Sequence, residues 1–308
     1  LMTFPVGLVA GEGMIHVGPA GRIETTAIQS RTFAVPGFEL EGVLVSRGTT
    51  RFDAPLDGAV SGSIELRAGI LDGTGHLVIS GLLVRPATDD ASGSPQLRVP
   101  WELDGGGELV NELGLLRIQE DGVLRQGTIR AEEGTEIDLG TGVTVAAAPG
   151  GGQRRLAGGG LIDVNGTIAM DGITEIVAEM AEPEGSLRLA GGTVDTGPFG
   201  TLRNQGYMES IGGTLRGGGD GPFGTDGGVR TVAGGTFVTA SGLTSVDGVL
   251  ANDGGEFFMT APITLGEASI LDAASGTLDL VAGNVVGADS ARLVVRSGAT
   301  LRKVLFEE

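Results

Sequence analysis

A glycine followed by a small or polar residue and then an apolar one recurs through the C-terminal half of this chain at nearly constant spacing. The anchors are Gly192-Thr193-Val194, Gly213-Thr214-Leu215, Gly235-Thr236-Phe237, Gly255-Glu256-Phe257 and Gly276-Thr277-Leu278, with a looser Gly298-Ala299-Thr300-Leu301. Their intervals are 21, 22, 20, 21 and 22 residues. Gly191, Gly212, Gly234 and Gly254 double four of these anchors. Periods of this size mark solenoids and other stacked repeats. A propeller blade needs roughly twice the length, about 40–50 residues, and the regular Leu ladder of leucine-rich repeats is missing. A coil of about 21 residues holds two or three short strands with their turns, and it can bury its apolar side only by stacking on its neighbours. The pattern predicts an all-β chain, a right-handed parallel β-helix. An antiparallel β-sandwich is the alternative.

A second signature, Leu-x-Asn-x-Gly, occurs at Leu202–Gly206 and Leu250–Gly254, and in stretched form at Leu109–Gly114. Gly and Asn tolerate positive φ, so both signatures read as turns. Between turns the chain alternates with period two, as in Ile64-Glu65-Leu66-Arg67-Ala68 and Leu278-Asp279-Leu280, which is the pattern of half-buried strands. The N-terminal half uses the same vocabulary with looser spacing, for example Gly107-Glu108-Leu109 and Gly127-Thr128-Ile129. Residues 1–60 are the least regular and read as an N-terminal cap or irregular first coils. A parallel β-helix is expected over 61–308, interrupted by a loop insertion at 86–101, where Pro86, Pro95 and Pro100 cluster. Ile173, Ile176, Val177 and Met180 are spaced for a short amphipathic helix that closes at Pro183.

The 308 residues include 58 Gly, and apolar residues make up 40% but aromatic ones only 4%. The core must therefore be aliphatic. No three-residue Gly period exists, which excludes collagen. A net charge of -19 repels nucleic-acid phosphates and anionic lipid, so neither is an expected partner. Without Cys there are no disulfides and no thiolate metal sites. No apolar run reaches 18 residues, so no segment is expected to insert into a membrane as a helix. Leu1 is not an initiator residue, and the chain reads as a processed or trimmed piece of something longer.

Chemistry-bearing residues are few. His16 and His76 lie apart from each other and from any nucleophile, and read as surface residues. Asp89-Asp90 is the only adjacent Asp pair, and it sits in the Pro-rich loop, while Asp163, Asp171 and Asp195 are dispersed. Paired carboxylates drive glycan hydrolysis, and residues one coil apart stack at about 4.8 Å, so convergence across coils is the route by which this chain would acquire a catalytic site. No catalytic residue is assigned. The Gly-rich run Gly217–Gly228 offers Asp220 and Asp226 as candidate oxygen ligands for a hard cation such as Ca2+, although a plain turn explains the run more simply. No other cofactor is expected. Asn165-Gly166-Thr167 reads as a turn. Trp101 and Tyr207 are the single Trp and Tyr, a thin supply of aromatic platforms for sugar binding.

The coil-length repeat, the Gly-Thr-apolar anchors and the Leu-x-Asn-x-Gly turns together resemble the β-helical regions of exported bacterial surface proteins, namely autotransporter passengers and filamentous haemagglutinin-like adhesins. The resemblance spans roughly 105–301 and is clearest from 191 onward. It implies export to the cell surface or extracellular space, a rod-like form, and a non-enzymatic structural or adhesive role. Other copies of the chain, or cell-surface and matrix components, are the implied partners. A polysaccharide-active β-helix enzyme and a glycan-binding module are the competing expectations. The apolar Leu301–Phe306 segment reads as an end-docking strand for end-to-end assembly.

Overall fold

The structure, a computed structural model, describes residues 2–3, 7–26, 30–54, 56–88, 93–148, 152–170, 174–181, 185–196, 201–217, 228–241, 244–267, 269–281 and 284–303. The chain is a parallel β-solenoid of about 12 turns, with coils about 22 residues apart. No helix occurs among the described residues. Within each unit as far as Thr214–Gly217 the coil has three short strands, and a strand pairs with the one three places later in the chain; beyond it, strands merge round the corners into Thr244–Met259 and Ile270–Leu280. Every described register is parallel, which excludes the antiparallel sandwich. The fold divides into two compact units, Leu1–Val143 with Ala148–Arg154, and Thr144–Ala147 with Arg155–Glu308.

In the first unit the coil runs through a first side (Arg22–Thr25, Val43–Ser46, Ser63–Leu66), a second (Arg31–Ala34, Thr49–Phe52, Ile70–Asp72) and a third (Gly37–Leu40, Asp57–Val60, His76–Ile79). Alternation decides what points inward. Ile23, Leu44, Ile64, Leu83 and Leu109 form one stacked inner row on the first side, and each is almost completely buried. The few aromatic residues are concentrated. Phe33, Phe38 and Phe52 meet across the lumen with ring centroids 5.3–5.6 Å apart. Toward the N-terminus, Met14–Val17, Gly37–Leu40 and Asp57–Val60 pair in one parallel register.

Part of the stretch expected as an insertion at 86–101 is strand. Gln96–Arg98 and Trp101–Leu103 are strands of the stack, with Leu97, Val99, Trp101 and Leu103 directed into the core. Arg85, buried at the inner corner, donates to the carbonyls of Leu115 (2.6 Å) and Gly93 (2.8 Å).

In the second unit the helix expected at 173–182 is replaced by the strand Glu175–Met180. Ile176, Ala178 and Met180 alternate inward, each almost completely buried, and the strand pairs with Arg154–Gly158 on one side and Thr201–Asn204 on the other. Neighbouring coils that require hydrogen bonds along this edge outweigh a local helical spacing. The repeat itself also needs correction. Thr193 and Thr214 are true partners on the third side, whereas Thr236, Glu256 and Thr277 are partners on the second. Thr214 pairs with Ser245, and Thr236 with Tyr207. The interval of 22 between Gly213 and Gly235 is therefore not a coil but a change of side.

The doubled glycines divide two duties. The leading one of each pair, Gly191, Gly212, Gly234 or Gly254, turns the corner at φ between +79° and +100°, where an L side chain is strained. The following one lies against the coil below. A Cβ on Gly192 would stand 2.2 Å from the Val164 carbonyl oxygen, and one on Gly235 would stand 2.5 Å from that of Asn204.

Candidate functional site

Two kinds of polar structure are built into the solenoid, one inside its corners and one on its outer faces. The Leu-x-Asn-x-Gly signatures place an Asn at the inner corner between the first and second sides. Asn111, Asn204 and Asn252 are fully buried there. Asn111 Nδ2 donates to the carbonyls of Gly114 and Glu136, both at 2.7 Å. Asn252 repeats this with Gly255 (3.0 Å) and Thr277 (2.7 Å), and Asn204 reaches Thr236 at 2.9 Å. Glu136, Thr236 and Thr277 belong to the next coil, so each amide ties its own turn to the coil above. The sequence marks these residues as turn formers. Their work as buried bridges between coils emerges only from the register.

On the outer faces, carboxylates meet guanidinium groups of adjacent coils. Asp163 and Arg188 are direct register partners joined by two bonds of 3.2 and 2.7 Å. Asp279 and Arg302 repeat the arrangement at 2.6 and 2.5 Å, and Asp272 takes Arg296 at 3.0 and 2.5 Å. These bidentate forks occupy both oxygens of carboxylates that are themselves buried. Through its hydrogen bonds first and its charge second, Asp279 pushes the Arg302 guanidinium above its ordinary pKa.

The densest cluster lies on the first side of the first unit. Val45 points outward between Glu24 and Glu65 in register, yet it is fully buried. Arg22 spans it, 3.8 Å from Glu24 and 3.9 Å from Glu65, while Arg47 holds Glu24 and Arg67 holds Glu65, each at 2.8 Å. The Arg47 hydrogen bond, with the charges of Arg47, Arg22 and Arg67, holds Glu24 below the ordinary glutamate pKa against the opposing effect of burial. A depressed folded pKa contributes stability that is present above the unfolded value and is lost as pH falls through the folded one. Urea unfolding is therefore expected to show a contribution of under about 1 kcal/mol at this half-exposed cluster, declining below about pH 4.3. Arg47→Gln is expected to flatten that decline. An unchanged acid limb in Arg47→Gln contradicts it.

The residues singled out in sequence are not gathered together. His16 lies 3.1 Å from Glu39, and His76 lies 3.6 Å from Asp57, both half-exposed on the third side. Trp101 is 1% exposed, so it offers no platform to a sugar. Asp220, Asp226, Asp89, Asp90 and Asp171 lie outside the described residues, and so do Val304, Leu305 and Phe306 of the end-docking segment. Among the described residues, no three His, Cys, Asp or Glu side chains stand close enough to hold a metal ion. The ionic ladders gave no sequence signal, because their partners are 23 to 25 residues apart and the coil length varies.

No known protein family, no curated protein and no solved structure matches this chain.

Proposed function

We propose that this chain is a non-enzymatic structural or adhesive scaffold of an exported bacterial surface, acting outside the cell. The observation that supports this reading best is the engagement of outward carboxylates by arginines of neighbouring coils, most fully at Asp163, Asp272 and Asp279. General acid–base catalysis needs a carboxyl group that can reach a substrate proton and exchange it. A carboxylate forked by arginine on both oxygens is committed to holding coils together. The same pairs hold neighbouring coils in register, which suits repeated weak contacts to a cell surface or matrix. Burial of Trp101 leaves Tyr207 as the only candidate among Trp and Tyr for sugar stacking, which favours a protein-surface or matrix contact over a glycan pocket.

The test pairs two assays on the full chain. Beads coated with it are expected to adhere to immobilised matrix components above uncoated beads, and polyuronides and neutral glycans are expected to release no new reducing ends. Turnover abolished by an Asp→Ala change replaces this reading with a polysaccharide-active enzyme. Beads that adhere no better than uncoated ones remove the adhesive half.

A further inference from the structure

We infer that an outward column of arginines in the second unit, Arg155, Arg203 and Arg230, binds the carboxylates of an acidic polysaccharide, a linear polymer of uronate sugars. Arg155, Val177, Arg203 and Arg230 are successive register partners, one from each of four neighbouring strands. Elsewhere register brings opposite charges together, as with Arg51 and Asp72, Arg117 and Asp138, Asp163 and Arg188, Arg216 and Asp247, and Asp279 and Arg302. Among the described registers, Arg203 on Arg230 is the one pair of like charges.

Like charges directly opposite each other destabilise a sheet. The chain has 39 Asp and Glu against 20 Lys and Arg, so acidic neighbours for an arginine are plentiful. A repulsive pair kept where complementary pairs are the rule marks a place where function outweighs folding. The local balance is reversed as well. Between residues 155 and 232 the strands of this face hold these three arginines against two glutamates, Glu175 and Glu179.

The guanidinium groups are accessible and only loosely held by those acids. The Arg155 and Arg203 side chains are 40% and 44% exposed. Glu179 stands 3.7 Å from Arg155 and Glu175 stands 4.0 Å from Arg203, whereas the clamps at Asp163, Asp272 and Asp279 close to 2.5–2.7 Å. Gln205, with its amide oxygen turned to Arg203, accepts from Nη2 at 3.0 Å and Nε at 3.1 Å. A neutral group thus orients this guanidinium without cancelling its charge. Guanidinium receives a carboxylate as a planar fork, which requires neither a pocket nor an aromatic platform.

Spacing selects the polymer. Neighbouring coils stand about 4.8 Å apart, close to the length of one sugar, and a uronate chain carries a carboxylate on every sugar. Arg203 and Arg230 match consecutive sugars, and Arg155, two coils from Arg203, matches the next but one. An extended acidic peptide presents same-face carboxylates about 6–7 Å apart and falls out of step. The chain's overall negative charge repels polyanions at long range, so affinity rests on these short forks.

The inference deepens the scaffold reading by naming a matrix partner, and the two fail separately. Absent binding removes this site and leaves adhesion to other components, while glycan turnover removes the non-enzymatic reading and leaves the site. Isothermal titration calorimetry of the 308-residue chain with a linear oligogalacturonate is expected to show binding, and a neutral gluco-oligosaccharide of equal length none. Arg203→Gln and Arg230→Gln are each expected to weaken binding at least tenfold. Their urea midpoints are expected not to fall, because each removes the repulsion, so a lost fold cannot account for lost binding. Arg130→Gln takes the same charge from the first unit and is expected to leave binding unchanged. No binding by the parent, unchanged binding in Arg203→Gln or Arg230→Gln, or an equal loss in Arg130→Gln overturns the inference. So does displacement of the oligogalacturonate by an equal concentration of oligoglutamate, which would make the column a site for acidic peptide.

Discussion

Gly122→Val is expected to be among the most destabilising single substitutions in the first unit, at about 3 kcal/mol or more. Trp101 and Gly122 are register partners in adjacent coils. The indole lies over the glycine so closely that a Cβ there would stand 2.0 Å from Cε2 and 2.2 Å from Cζ2. The ring cannot retreat, because Nε1 donates to the Glu120 carbonyl at 3.2 Å and the side chain is enclosed by the core. Large and small residues here divide the space of two coils between them, and a second large one must displace backbone. As the only Trp, Trp101 reports its own environment, so its emission is expected to shift to the red in the variant while the urea midpoint falls. Trp101→Val costs about 3 kcal/mol or more by itself through the cavity it leaves. Combined with Gly122→Val, it is expected to recover much of the loss, because the new methyl groups occupy the vacated volume. Additive losses in the double variant contradict the packing described.

Asn252→Ala is the second large effect, expected at about 2–4 kcal/mol. The amide nitrogen satisfies the carbonyls of Gly255 and Thr277 inside the corner, and each buried carbonyl left without a donor costs about 1–3 kcal/mol. Because Thr277 lies one coil further on, the substitution also uncouples two coils, and hydrogen exchange is expected to quicken at the Thr277–Leu280 amides as well as at the turn. Asn252→Asp is expected to be at least as damaging, since it offers acceptors where donors are required. Exchange that changes only within Leu250–Gly254 would make Asn252 a local turn former and no more.

These two sites show where the sequence was legible. Leu-x-Asn-x-Gly announced a turn because Asn and Gly have a local conformational preference, but its bridge to the next coil depends on a register that no local pattern encodes. The doubled glycines announced the solenoid correctly, since positive φ and close approach are both constraints that only glycine meets. They could not say which side of the coil they served, and so Gly213 and Gly235 were joined into one period across a change of side. Ile173 to Glu182 failed for a related reason: Ile176, Val177 and Met180 fit a helix locally, while the strand edges above and below them are supplied by residues far away in sequence. Trp101 was lost in a proline-rich stretch whose turns punctuate strands and do not replace them. The ionic ladders were invisible. Each Arg and Asp is an ordinary outward residue until a coil of variable length brings it to a partner.

Parallel stacking of coils in the described register can be read directly, because the chain has no Cys of its own. Thr193 and Thr214 are adjacent partners on an outer face, and Arg216 lies two residues further along the same strand. Neighbouring strands at about 4.8 Å fall within the Cα separation a disulfide accepts, about 4.4–6.8 Å, whereas a position two residues out of register lies at about 8 Å. Mild oxidation is expected to cross-link Thr193→Cys/Thr214→Cys nearly completely and Thr193→Cys/Arg216→Cys hardly at all. Equal yields in the two variants, or a reversed preference, would contradict the solenoid.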